Sequence, residues 1–438
     1  MLKAAAESGA QRPLSLYIHI PFCVRKCLYC DFLSGPASEE MRERYVQALC
    51  AEIAEAEAPV QDGSAALSPA GSPQGDNGAL ASAALSRPVD TVFFGGGTPS
   101  LLTAGQLERI MEAVRARFAM ERDAEISLEC NPGTADEGKL RAFRDLGVNR
   151  LSLGVQSLCD EELRTLGRIH TAAQAREAYG AARRAGFANI NVDLMSALPG
   201  QRFSSYEKTV RALCDWEPEH ISAYSLIVEE GTPFAGQKLD LPSEDEERAM
   251  YRRTKELLAA RGYARYEISN YARSGFACRH NVGYWTGHDY LGLGLGASSL
   301  VNGVRFRNTD SMERYLAFWE KRADGQVRRE RRCDAEQAGG EAGSGYFALK
   351  EERPYEEIHV LTTAERMEEF MFLGLRLTGG VSERDFAARF GRPIDAVYGA
   401  VLEKQRAQGL LVRENGRVRL TDFGLDVSNY AMAEYLLS

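Results

Sequence analysis

The stretch Leu16-Tyr-Ile-His-Ile-Pro21-Phe-Cys23-Val-Arg-Lys-Cys27-Leu-Tyr-Cys30 sets a β-rich run directly against three cysteines spaced CxxxCxxC. Three thiols this close in sequence can converge on one metal centre. A structural zinc site wants four ligands, commonly in two knuckles, and the chain carries no second CxxC. His19 is a candidate fourth zinc ligand, but it sits in a strand four residues before Cys23. A cubane iron–sulfur cluster ordinarily takes four thiolates, so three leave one iron open to a non-protein ligand. The bland alternative is three unrelated buried cysteines.

Working outward, the pattern after Cys30 repeats. β-rich runs at 16–21, 91–94, 126–129, 150–154, 190–194 and 220–226 alternate with segments whose apolar residues recur at helical spacing, 39–58, 104–118, 136–146, 160–166, 173–186 and 206–216. Strands alternating with helices predict a parallel sheet with right-handed crossovers. Six such units fall short of a closed eight-fold barrel, so the class is α/β with a partial (βα)6 barrel. Glycine and polar residues cluster just after the runs, where parallel sheets and barrels place their sites.

The segment 59–88, rich in Ala, Ser, Gly and Pro, and the segment 323–353, rich in Arg, Glu and Gly, read as surface insertions. Residues 1–13 read as a tail, 14–235 as the barrel, 236–322 as a segment beside the site, and 354–438 as a separate C-terminal domain. In that last part, helical segments at 363–377, 383–389 and 394–408 precede β-rich 410–414 and 417–420, joined at Asn415-Gly416. Asn-Gly between two such runs is a strong hairpin signal, and the whole predicts a small α+β winged-helix-like domain. Its net charge of −3, within a chain of 438 residues and net charge −9, argues against nucleic acid as partner. No apolar run approaches the roughly 18 residues a membrane span needs. No secretory signal is evident at the start, so a cytoplasmic place is expected, and peripheral membrane association is left open. The nine cysteines are then free thiols or metal ligands.

Gly95-Gly96-Gly97-Thr98-Pro99 after the second run allows close backbone approach to a ligand, with N–H groups to grip it. Glu129, within Glu-Cys-Asn-Pro-Gly after the third, can hold an ammonium or a ribose; a helix-capping turn is the alternative. Gln156 and Arg168 follow the fourth run, and Arg168 could equally be a surface ion-pair partner. Asp193 sits inside the apolar fifth run and needs a partner if buried. Tyr224 and Ser225 end the sixth.

CxxxCxxC in the first βα loop followed by a glycine-rich second loop resembles the radical S-adenosylmethionine superfamily. There the cysteines, here Cys23, Cys27 and Cys30, hold a [4Fe-4S] cluster whose open iron binds S-adenosylmethionine. Tyr17-Ile-His-Ile-Pro-Phe-Cys23, Gly95–Pro99, Arg150-Leu-Ser-Leu-Gly-Val-Gln156-Ser and Asp193-Leu-Met-Ser-Ala-Leu-Pro-Gly-Gln201 are similar to one branch, the oxygen-independent coproporphyrinogen III oxidases. The resemblance implies that Tyr17, Gly96 and Glu129 surround the cluster-bound cofactor. It implies that Tyr29, Gly97, Thr98, Gln156, Arg168 and Asp193 surround a second one, with a softer match at Ser225.

Phe32 stands where the oxidases carry an additional cysteine, and His280-Asn281-Val-Gly-Tyr284-Trp285 matches the HNxxYW motif of the HemW-type heme chaperones. That resemblance implies heme as cargo, with His280, Asn281, Tyr284 and Trp285 as candidate heme contacts. It also implies heme-acceptor proteins such as membrane respiratory enzymes, an electron donor, and reductive cleavage of S-adenosylmethionine as the chemistry within reach. A homodimer is left open. His288 and Cys278 compete with His280 as iron ligands, and core packing of His280, Tyr284 and Trp285 is the structural alternative. Gly292, Gly294 and Gly296 are expected to let a flat ligand approach the backbone.

Overall fold

The computed structural model describes residues 12–57, 85–323 and 353–437. The two insertions and the N-terminal tail lie almost wholly outside these. Six strands run parallel in sequence order: β1 (Leu14–Ile20), β2 (Val89–Gly96), β3 (Met120–Cys130), β4 (Arg150–Gln156), β5 (Ile190–Ser196) and β6 (His220–Ser225). The connecting helices include Glu39–Ala54, Ala104–Arg117, Glu137–Asp145, Ala172–Arg184 and Phe203–Cys214. Ser38, Thr103, Asp136 and Thr171 cap four of them with side-chain acceptors, which fixes where each begins.

Strand alternation divides the molecule into two environments. Along β1, Leu14, Leu16, Ile18 and Ile20 are fully buried against the helices. Ser15, Tyr17 and His19 point the other way, as the two-residue period requires. The same face of β2 to β6 carries Thr91, Glu125, Glu129, Arg150, Ser152, Asn191, Asp193 and His220. A polar lumen thus runs through an apolar shell, as expected for a partial (βα)6 barrel.

Six further strands extend the sheet to twelve, in the order β12-β11-β10-β9-β1-β2-β3-β4-β5-β6-β8-β7. β9 (Tyr290–Leu293) pairs parallel with β1. β10 (Ser298–Val301), β11 (Val304–Asn308) and β12 (Tyr355–Val360) follow antiparallel. β7 (Ala264–Arg265) and β8 (Asn270–Ala272) cover the other edge. The sequence assigned 354–438 to the C-terminal domain, but its first strand, β12, belongs to the large sheet.

Glu52 locks this extension to the barrel. It is 2% exposed and accepts hydrogen bonds from Gly294 N (2.7 Å), Asn308 Nδ2 (2.5 Å) and Tyr315 Oη (2.6 Å). Burial pushes its carboxyl pKa up, against the pull of those donors. Glu52→Ala strands three buried donors and is expected to lower unfolding free energy by about 3 kcal/mol in urea denaturation. A loss under about 1 kcal/mol would show that the lock is dispensable.

The C-terminal domain has its own core of Met371, Phe386, Tyr398, Leu402 and Val418. Helices Thr363–Gly374, Glu383–Phe390 and Asp395–Ala407 pack on a small antiparallel sheet of β13 (Val381–Ser382), β14 (Leu411–Glu414) and β15 (Arg417–Leu420). Asn415 and Gly416 both take positive φ, 53° and 70°, as a two-residue hairpin turn requires. Among the described residues no helix is long and apolar enough to cross a membrane.

Candidate metal and cofactor site

The cysteine loop crosses the carboxyl ends of the parallel strands and is fastened by backbone bonds. Gly97 N donates to Ile20 O (2.9 Å), Thr98 N to Phe22 O (2.7 Å), Cys23 N to Gly35 O (2.9 Å) and Leu28 N to Leu166 O (3.1 Å). A Cβ on Gly97 would stand 2.6 Å from Phe22 O, so only glycine permits this approach. The N–H groups expected to grip a ligand are therefore spent inside the protein. Gly97 and Thr98 hold the cysteine loop, and Gly96 N donates to Glu129 Oε2 (3.2 Å).

Cys23, Cys27 and Cys30 are half-buried free thiols. A continuous hydrogen-bonded chain joins two of them. Thr98 Oγ1 donates to Cys23 Sγ (3.5 Å), Asn131 Nδ2 to Thr98 Oγ1 (2.8 Å), Arg168 to Asn131 Oδ1 (2.6 Å), and Arg168 also to Cys27 Sγ (3.6 Å). Donors aimed at sulfur stabilise negative charge there and tune a cluster held by it. Among the described residues, no three His, Cys, Asp or Glu side chains converge as they would on a single ion. A multi-iron cluster takes each thiolate on a different iron and needs no such convergence. The donor set, three free thiols served by hydroxyl and guanidinium donors, fits a cluster better than a lone ion.

Below the loop, Tyr17 Oη meets His19 Nδ1 (3.1 Å), and a Cβ at Gly95 would stand 3.1 Å from Tyr17 and 3.3 Å from Glu129. The glycines thus keep open a cradle lined by Tyr17 and Glu129. Burial, and Asp193 across the lumen, push the Glu129 carboxyl up to about 8. Its native pKa lies above the unfolded one, so the stability it lends is complete below the ordinary carboxylate range. That stability is lost as pH rises toward 8. Glu129→Gln is expected to flatten the decline in melting temperature between pH 5 and pH 8. An identical slope in both proteins would refute the assignment.

The second group of expected residues also gathers. Gln156, at φ 67°, ends β4 in a strained conformation and accepts from Tyr224 Oη (3.0 Å). Asp193 accepts from Asn191 Nδ2 (2.7 Å) and Ser152 Oγ (3.4 Å), with its pKa raised by burial. Arg168 also donates to Gly154 O, and its charge reaches the half-buried Tyr29. It is a half-buried member of the site, bonded to Asn131, Gly154 and Cys27, and among the described residues not a surface ion-pair partner. Ser225 lies at the rim, 3.2 Å from Ser196 Oγ.

Residues 77–213 match the Radical SAM superfamily, and residues 361–427 match the HemN C-terminal domain. Over 431 residues the chain is 32% identical to the heme chaperone HemW of Lactococcus lactis, with 98% of each chain covered. Over 427 residues it is 33% identical to the Bacillus subtilis heme chaperone HemW, covering 96% of this chain and 99% of that one. The chain belongs to the HemW family. In fold it is similar to the Escherichia coli coproporphyrinogen III oxidase HemN, a radical SAM enzyme, with a TM-score of 0.75. The identity there is 21%, and the alignment covers 98% of this chain and 91% of that one.

In this structure of a HemW-family chain, the HNxxYW stretch packs in the core, as the alternative reading of the motif expected. The motif forms helix Arg279–Trp285 at the amino ends of the strands, opposite the cysteine loop. His280 is 1% exposed, and both ring nitrogens are taken, Nδ1 by Thr91 Oγ1 (2.8 Å) and Nε2 by Tyr284 Oη (2.9 Å). Its ring stacks on Phe93 at 5.1 Å. Tyr284 packs edge-on to Tyr290 at 4.7 Å, Trp285 lies 4.2 Å under the Arg376 guanidinium, and Asn281 is half-buried. Cys278 is buried and donates to Glu125. The motif is the floor of the lumen and the seam to the C-terminal domain.

The glycine series is likewise filled from within. A Cβ at Gly292 would collide with Ser298 O, at Gly294 with Tyr45 Oη (2.5 Å), and at Gly296 with Leu33 Cδ2 (2.6 Å). Sequence reasoning also missed Asn131, the link between Thr98 and Arg168, and Arg150, buried in the lumen beside Glu125 and Asp193. For Arg150 the available signal was a polar residue on the lumen-facing phase of a strand, while Asn131 lies just past the end of β3.

Proposed function

We propose that this chain is a heme-binding chaperone that carries a [4Fe-4S] cluster on Cys23, Cys27 and Cys30, binds S-adenosylmethionine beside it, and passes heme to acceptor proteins. The near full-length identity to two proteins named heme chaperone HemW carries the reading. Support for the cluster comes from the hydrogen-bonded chain that serves Cys23 and Cys27. When bound, the cluster and S-adenosylmethionine would supply one-electron chemistry at the lumen mouth. Tyr17 and Glu129 would border the methionine end, and Gln156, Arg168 and Asp193 the far side.

A second reading, coproporphyrinogen III oxidation, draws on the fold shared with HemN. Phe32, 62% exposed, stands where that activity's additional cysteine would be. One pair of measurements separates the two. The reconstituted protein is expected to retain heme through a desalting column and to leave coproporphyrinogen III unchanged under anaerobic reducing conditions. Formation of protoporphyrinogen without heme retention would favour the oxidase.

A further inference from the structure

Asn131 sits between the two side chains that donate to the cysteine sulfurs, and the direction of its bonds follows from what each partner can do. The Arg168 guanidinium can only donate, so the amide atom 2.6 Å from it is the oxygen. The amide nitrogen therefore faces Thr98 Oγ1, at 2.8 Å, and the hydroxyl accepts there. A hydroxyl has one proton. With its oxygen engaged by Asn131, that proton is left for Cys23 Sγ, 3.5 Å away. At the other end Arg168 Nη1 donates to Cys27 Sγ (3.6 Å). Both ends of the chain thus present a hydrogen to sulfur. The backbone of Asn131 is held apart from its side chain. Its carbonyl accepts from Thr134 N (3.1 Å) and Thr134 Oγ1 (2.6 Å), and Gly133 takes φ 84°, in a tight turn just past β3. A Cβ at Gly154 would stand 2.7 Å from Asn131 Oδ1 and 3.0 Å from Arg168 Nη2, so the pair fits over β4 because that position is glycine. Thr98 is 2% exposed, which keeps its hydroxyl out of water.

A hydrogen bond to a thiolate favours the state with more negative charge, so donors on the cysteine sulfurs raise the potential at which an iron–sulfur cluster takes up an electron. A carboxylate in place of the amide only accepts. It would keep Arg168 and fasten the three loops equally well, but it would turn the Thr98 proton away from Cys23. The amide therefore serves the sulfurs rather than the fold. Resting on the cluster reading above, we infer that Asn131 is a positioning residue for the cluster: its amide sets the direction of the Thr98 and Arg168 bonds, keeps both donors on sulfur, and so raises the cluster's reduction potential.

A reductive titration of the reconstituted protein with dithionite tests this, with the electron paramagnetic resonance signal of the reduced cluster followed against potential. Thr98→Val is expected to shift the midpoint to lower potential, and Thr98→Ser to restore the wild-type value. Asn131→Asp is expected to lower the midpoint at full iron content, partly through its own charge. The double variant separates the charge from the turned hydrogen bond. Thr98→Val should cause no further shift in the Asn131→Asp background, where the hydroxyl no longer faces Cys23. Asn131→Ala removes the anchor without adding charge. It should lower the midpoint and shrink the Thr98→Val effect, which supplies the same comparison if Asn131→Asp assembles no cluster. Equal Thr98→Val shifts with and without the Asn131 substitution, or a wild-type midpoint in Thr98→Val, would overturn the inference and leave the cluster reading standing. No iron and no reduced-cluster signal in the wild type would overturn both.

Discussion

Cys27→Ser is expected to fold and to hold almost no iron after anaerobic reconstitution. Cys27 is one of the three thiols of the proposed cluster site, and a serine hydroxyl is too weak an acid to replace a thiolate at neutral pH. The loop around it does not depend on the sulfur. Gly97 and Thr98 pin one end to Ile20 and Phe22, and Leu166 and Phe234 hold Leu28 between them. The side chain that loses a partner is Arg168, which keeps Asn131 and Gly154. Iron and acid-labile sulfide should therefore fall while the melting temperature of the metal-free protein stays within about 1 °C, on the order of 1 kcal/mol for a chain of this size. Cys50→Ser, in helix Glu39–Ala54, is the control and should leave both unaffected. Full iron content in Cys27→Ser would mean that the cluster is held elsewhere.

His280→Ala is expected to cost about 2–4 kcal/mol of stability, because it removes a buried ring, two hydrogen bonds and an aromatic stack together. Thr91 and Tyr284 are left without their partner, and the floor helix loses its hold on β2. The same helix is also anchored by Glu125, whose carboxylate accepts from Arg279 N (3.0 Å) and His280 N (3.3 Å). Heme bound by the folded fraction should keep the wild-type ligand spectrum. A variant of undiminished stability that loses only the heme-ligand signal would restore His280 as the ligand and contradict the structure.

The barrel was legible because its six strands alternate with capped helices of ordinary length, and both periods are written in the residues. The edges were not. β7 has two residues and β8 three, too short for any period, and both exist because antiparallel neighbours supply their hydrogen bonds. Gly292 and Gly294 look alike in sequence whether a ligand or the protein's own backbone occupies the space beside them. Only the positions of Ser298, Tyr45 and His19 decide it. Among the cofactor residues, Cys23, Glu129 and Gln156 were legible because they fall at or just past strand carboxyl ends, whereas Asp193 lies within β5 and Arg168 beyond the short helix that follows β4. Which of the site residues touch was not legible, because the Thr98–Asn131–Arg168 chain links three separate loops. His280 and Tyr284 stand four apart, the spacing of one helical face, so the bond between them was readable once that segment is taken as a helix.

Heme hand-over tests the central claim most directly. The cluster-reconstituted protein is loaded with one equivalent of heme, freed of excess, and mixed with an apo heme protein, and the Soret band of the acceptor is followed. Transfer of unaltered heme, faster than its spontaneous release into buffer, is the predicted result. Heme that stays bound, or leaves no faster with the acceptor present than without it, would contradict a chaperone.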